Sequence, residues 1–215
     1  MGVIMEKRIK KINIIAAVFI FLGLPILFLG LGNYPARSIL KEGISLLTII
    51  AFCMMLAQFY LARSNKNILK DHKMSKVLKL HKYLGYVFVS ILLIHPFLLV
   101  LPRYFESGVE PIDAFFTIIT SLNSTGIVLG IIAWCLMLIL GVSSIFRNRL
   151  GMNYKTWRVF HGILSIAFIA TAAWHIIDLG RHIHSAMFIF IIVLSGIGIF
   201  LLLKTYLLKK SEDTK

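Results

Sequence analysis

Residues 79–97 read KLHKYLGYVFVSILLIHPF and residues 154–175 read YKTWRVFHGILSIAFIATAAWH, and the histidines in these two stretches decide the fold. His81 and His95 stand fourteen residues apart, and so do His161 and His175. Each residue of an α-helix turns about 100° and rises about 1.5 Å. Fourteen residues therefore leave both histidines of a pair within about 40° of one face and about 21 Å apart. Both stretches are apolar enough to cross a bilayer, so two such helices side by side present four imidazoles at two depths. Imidazole is a common axial ligand of haem iron. The pattern suits two bis-histidine haems stacked across a membrane, one near each surface.

Composition agrees with a membrane setting. Of 215 residues 59% are hydrophobic and 15% charged, an imbalance that a soluble domain cannot keep off its surface. Cys53 and Cys135 both lie in apolar runs and are expected to be small core residues, which leaves no basis for a disulfide framework or a cysteine metal site. The net charge of +14 is not spread as a nucleic-acid-binding protein would spread it. Lys7, Arg8, Lys10 and Lys11 precede the first apolar run, and seven Lys/Arg fall between Arg63 and Lys82. Four lie between Arg147 and Arg158, and Lys204, Lys209, Lys210 and Lys215 close the chain. Arg37, Lys41, Arg103 and Arg181 occupy the other connections, beside Glu42, Glu106, Glu110, Asp113 and Asp178. Nineteen against four, alternating from loop to loop, is the positive-inside pattern. Both termini are expected in the cytoplasm.

Hydropathy predicts an all-α, single-domain bundle of six transmembrane helices over about 13–32, 43–62, 80–102, 126–146, 159–178 and 186–207, each of the length that crosses roughly 30 Å of hydrocarbon. The first follows basic residues, yet it is too long for a signal peptide and lacks a small-residue cleavage site, so it reads as a retained helix. Residues 112–125 (IDAFFTIITSLNST) are amphipathic and read as an external helix on the membrane surface.

Odd-numbered spans run outward, so spans three and five are parallel. His81 and His161 then share the inner depth, and His95 and His175 the outer one. One face of span three reads His81, Leu84, Gly85, Phe88, Leu92, His95; that of span five reads His161, Leu164, Ser165, Phe168, Ala172, His175. Gly85, Ser165 and Ala172 leave room for a flat macrocycle, although helix packing accounts for small residues too. Phe88 and Phe168 stand midway between the histidines and are candidates for a relay between haems, in competition with ordinary core or lipid contact. His72, in the basic loop, reads as solvated. His182 and His184 in RHIHS read as exposed residues of an external loop, with metal binding or steering of an acceptor as the alternative.

These two stretches resemble the ferric reductase-like transmembrane domain shared by ferric-chelate reductases, NADPH oxidases and the membrane haem subunit of periplasmic methionine sulfoxide reductase. The resemblance covers nearly the whole chain, and Tyr154, Trp157 and Arg158 before His161 are similar to the family as well. It implies that His81 and His161 ligate an inner haem b, and His95 and His175 an outer one. Lys79, Lys82 and Arg158 are placed to meet inner haem propionates, and Arg103 and Arg181 outer ones; snorkelling at the interface explains the same positions.

Ferric reductases and NADPH oxidases usually continue into flavin and nicotinamide domains, whereas this sequence stops soon after its sixth span. The glycines of SGIGIF lie within a span and form no nucleotide loop. The expected donor is therefore a separate flavoprotein, a reduced flavin or a quinol. Lys66, Lys70, Lys73, Lys76, Arg147, Arg149 and Lys155 would suit an acidic docking partner, but anchoring to anionic lipid is the favoured reading of the same charges. Three functions remain open on the sequence: a terminal reductase of ferric chelate or oxygen, an electron relay to an extracytoplasmic protein, and a haem-free transporter. The expected location is a bacterial cytoplasmic membrane.

Overall fold

The computed structural model describes residues 13–35, 37–62, 65–106 and 108–212. In order, the helices are α1 (Asn13–Leu31), α2 (Ile39–Tyr60), α3 (Lys66–Asp71), α4 (Met74–Val100), α5 (Pro111–Thr120), α6 (Thr125–Ile145), α7 (Tyr154–Leu179) and α8 (Ser185–Glu212). All but α3 and α5 are long and apolar enough to cross a membrane, and the chain is a multi-pass integral membrane protein. No strand occurs among the described residues.

Local chemistry explains where these helices bend and begin. In α1 a π turn at Phe19–Gly23 directly precedes Pro25, whose ring clashes with the carbonyl four residues back and cannot bond to it. Helices α4 and α7 start several residues earlier than hydropathy alone predicts. At α7 the Asn153 side chain accepts a hydrogen bond from the Thr156 amide at 2.8 Å, a cap that starts the helix among polar residues. At α4 the added turn carries Lys76 and Lys79, whose long stems let a helix continue beyond the hydrocarbon. The external amphipathic segment is the short helix α5; Phe115 on it stacks on Phe97 of α4 with centroids 5.1 Å apart. Ser124 then caps α6 by accepting from the Ile127 amide.

The helix neighbours define a ring. Contact is most extensive between α6 and α7 and next between α2 and α4; α4 also meets α6, α7 meets α8, and α8 meets α2. Helix α1 packs outside, on α2 and α8. Phe52, Cys53, Leu56, Ile169, Met187 and Ile191 are fully buried inside, whereas Ile132, Ile139 and Val142 of α6 and Ile189, Ile192 and Ile197 of α8 face outward as lipid-facing residues do. Cys135 shares that outward face and is exposed. It is therefore not the core residue its apolar surroundings suggest, because apolar sequence in a membrane helix marks lipid as readily as core.

The predicted alternation of loops is visible at one end of the ring. Lys41 and Ser38 both bond the Glu106 carboxylate, joining the start of α2 to the loop after α4. Arg181 donates to the Pro35 carbonyl, and His182 Nε2 lies 2.9 Å from Glu42 Oε2. The three connections assigned to the outside thus meet on one face.

Candidate functional site

The four histidines occupy the ring interior from opposite sides, α4 supplying His81 and His95 and α7 supplying His161 and His175. Helices α4 and α7 are not among the pairs in extensive contact; α6 on one side and α2 with α8 on the other hold them apart. They are therefore parallel but not side by side, as the spacing argument had them. His81 and His161 line one cavity and lie within electrostatic reach of each other. His95 is likewise within reach of His175. Like pairs with like, as parallel helices require.

The inner cavity has a volume of about 780 Å³, within the roughly 300–1,000 Å³ of cofactor pockets. Gly85 and Ser165 line it, and a Cβ on Gly85 would meet nothing within 4 Å. Lys79, Lys82, Arg147 and Arg158 also line it, and Arg158 Nε is buried without a hydrogen-bond partner. Phe168 forms part of its wall and is 3% exposed. Phe88 packs against the hydrophobic core instead, and Ala172 is buried in it.

Hydrogen bonding at the imidazoles is uneven. His95 Nδ1 is buried and has no hydrogen-bond partner, while the His81 ring lies within hydrogen-bonding reach of the Gln58 backbone, although its buried Nδ1 makes no bond of good geometry. On α7, His175 Nδ1 lies 2.8 Å from the Gly126 carbonyl and His161 Nδ1 3.3 Å from Ser144 Oγ, both on α6. Trp157 stacks on His161 with centroids 5.0 Å apart and planes 28° from parallel, and its indole N–H donates to the Ser143 carbonyl at 3.3 Å. His81 and His161, turned into an apolar cavity with cations at one end, fit a planar iron macrocycle bearing carboxylates; His95 and His175 face each other at the other depth without lining that cavity. Among the described residues no three His, Cys, Asp or Glu converge as a conventional metal site; axial ligation needs two.

The approach of α7 to α6 depends on residues that sequence reading passed over. Gly126 and Gly130 form a small-xxx-small pair in TGIVLG, the spacing that lets membrane helices pack closely. A Cβ at Gly130 would collide with the His175 ring, and one at Gly126 with Asp178 and Leu179. Ser144, in VSSIF, carried no signal until its neighbour was known.

Other candidates fall away from the histidine pairs. Arg181 is engaged with Pro35. Arg103 sits in the 3-10 turn Leu101–Tyr104 beyond α4, near the Glu106 carboxylate. His182 and His184 are not the exposed residues that RHIHS suggests. His182 is 4% exposed, edge-on to Tyr34, and His184 Nε2 bonds the Phe28 carbonyl at 2.7 Å, so both tie the external loop to the bundle.

Residues 47–172 match the family described as "Ferric reductase like transmembrane component". An uncharacterized protein of Archaeoglobus fulgidus is 44% identical over 169 residues, covering 79% of this chain and 92% of its own length. No solved structure matches the chain.

Proposed function

The chain belongs to the ferric reductase-like transmembrane family, and from that premise we propose that it is a di-haem b-type cytochrome. It carries electrons from a cytoplasmic-side donor to an external acceptor such as ferric iron or oxygen. The reading rests chiefly on two matched histidine pairs, facing each other at two depths across a gap that α6 and α2 keep open. Haem iron held between two imidazoles supplies a reversible one-electron couple. His81 with His161 would hold the inner group, and His95 with His175 the outer one. Lys79, Lys82 and Arg158 would neutralise propionate charge at the inner cavity. Phe168 and its apolar neighbours exclude water, which keeps the local dielectric low. No side chain need act as acid, base or nucleophile.

The donor is a flavoprotein, a reduced flavin or a quinol that meets the basic face bearing Lys66, Lys70, Lys73, Lys76, Arg147 and Arg149. Lipid surrounds the outward apolar faces of the spans, and the cytoplasmic membrane is the one whose polarity suits the charge distribution. The test is to seal purified protein in vesicles with reduced flavin inside and ferric citrate outside. External iron reduction that depends on both the internal reductant and His95 is expected. Equal reduction by the parent and His95→Ala would refute the reading.

A further inference from the structure

Resting on the assignment of His161 and His175 as haem ligands, we propose that α6 sets the proton position and donor strength of both α7 histidines. Ser144 is the positioning residue for His161, and the Gly126 carbonyl plays that part for His175. The two haem sites are thereby tuned differently.

The protonation follows from the acceptors. A carbonyl oxygen can only accept, so the Gly126 carbonyl at 2.8 Å from His175 Nδ1 requires the proton to sit on Nδ1. The Nε2 lone pair is then free for iron. Ser144 leads to the same result by another route. Its hydroxyl proton is committed to the Leu140 carbonyl at 2.6 Å, so toward His161 Nδ1, 3.3 Å away, its oxygen acts as acceptor. Trp157, stacked on the ring, keeps His161 from rotating out of this arrangement. Both α7 histidines are held as the tautomer that ligation needs, whereas His95 of α4 has no hydrogen bond at Nδ1.

An acceptor at Nδ1–H increases imidazole basicity, which favours ferric over ferrous iron. The short bond to a carbonyl does so more strongly than the longer bond to a hydroxyl. This contribution makes the outer haem harder to reduce than the inner, and the inner one adjustable through a single side chain.

The test is a potentiometric titration of the purified haem-loaded protein, followed by the optical α band and by the low-spin ferric EPR signal. His81→Ala, which lacks the inner haem, identifies the outer wave. Ser144→Ala should shift the inner wave to more positive potential by on the order of tenfold in the reduced-to-oxidised ratio, about 59 mV for one electron. The outer wave should stay in place. Ser144→Thr, which keeps the hydroxyl, should restore the parent value, and Ser143→Ala, whose hydroxyl bonds only its own helix, should shift nothing. If Ser144→Ala sheds haem, selective loss from the inner site with rescue by Ser144→Thr supports the proposal. Loss from both sites, or no rescue, overturns it. Two bound haems with unchanged inner potential and EPR signal also overturn it. A parent protein without haem would instead overturn the ligand assignment.

Discussion

At the residue scale, the least conspicuous positions carry the sharpest consequences. Gly130 has no Cβ because the His175 ring occupies that place. Gly130→Ala overpacks this contact, a change that costs about 1–3 kcal/mol in a tight interior. It should lower the thermal stability in detergent and deplete the outer haem while leaving the inner α band, a pattern that difference spectra will register. His182 gives a second prediction. Burial pushes its imidazole below the ordinary value of 6.5, with the Glu42 carboxylate opposing and Arg37 and Arg181 reinforcing. An unfolded chain thus takes up the proton first, so this residue's contribution declines as pH falls below about 6.5. Melting curves between pH 8 and 5 should slope less steeply for His182→Gln than for the parent; identical slopes would refute the burial argument. That the span histidines fall into two facing pairs was legible in sequence because helical periodicity fixes their faces. His182 and His184 were misread because nothing in a short polar loop reveals that Tyr34, Glu42 and the Phe28 carbonyl fold over it.

At the scale of elements, single side chains on one helix bond the backbone of another. Pro96 in α4 lacks the N–H that would satisfy the carbonyl four residues back. One residue along, the Trp134 indole of α6 donates to the Leu93 carbonyl at 3.0 Å. Trp134→Phe retains most of the packing and should cost about 0.6 kcal/mol, the average for interhelical bonds in a membrane protein; Trp134→Ala leaves a cavity and should cost about 3–5 kcal/mol. Denaturation in mixed micelles separates the two. Tyr206 similarly ties α8 to the Arg158 carbonyl at 3.0 Å, passing over Gly162, where a Cβ would strike its hydroxyl. The six spans could be read from hydropathy because lipid demands length and apolarity of each one separately. Helix ends at Met74 and Tyr154 could not, since a capped or lysine-bearing turn outside the hydrocarbon has no apolar signature. Packing order was also hidden: sequence pairs α4 with α7 through their histidines, whereas in space α6 stands beside both.

At the scale of the molecule, the ring of α2, α4, α6, α7 and α8 works as a spacer. It keeps two histidine-bearing helices parallel and apart, gathers the loops poor in Lys and Arg on one face, and leaves the cavity of about 780 Å³ at the other depth beside Lys79, Lys82 and Arg158. Electrons crossing such a molecule need no moving part, so transfer should persist when the protein is held rigid in a nanodisc at low temperature. The most direct check of the central claim is haem per chain in purified protein, measured with the dithionite-reduced spectrum, for the parent, His161→Ala and His175→Ala. The account predicts two haems in the parent, with the sharp α band of bis-imidazole iron and little binding of carbon monoxide, and one in each variant. No haem in the parent, or two retained in either variant, would contradict it.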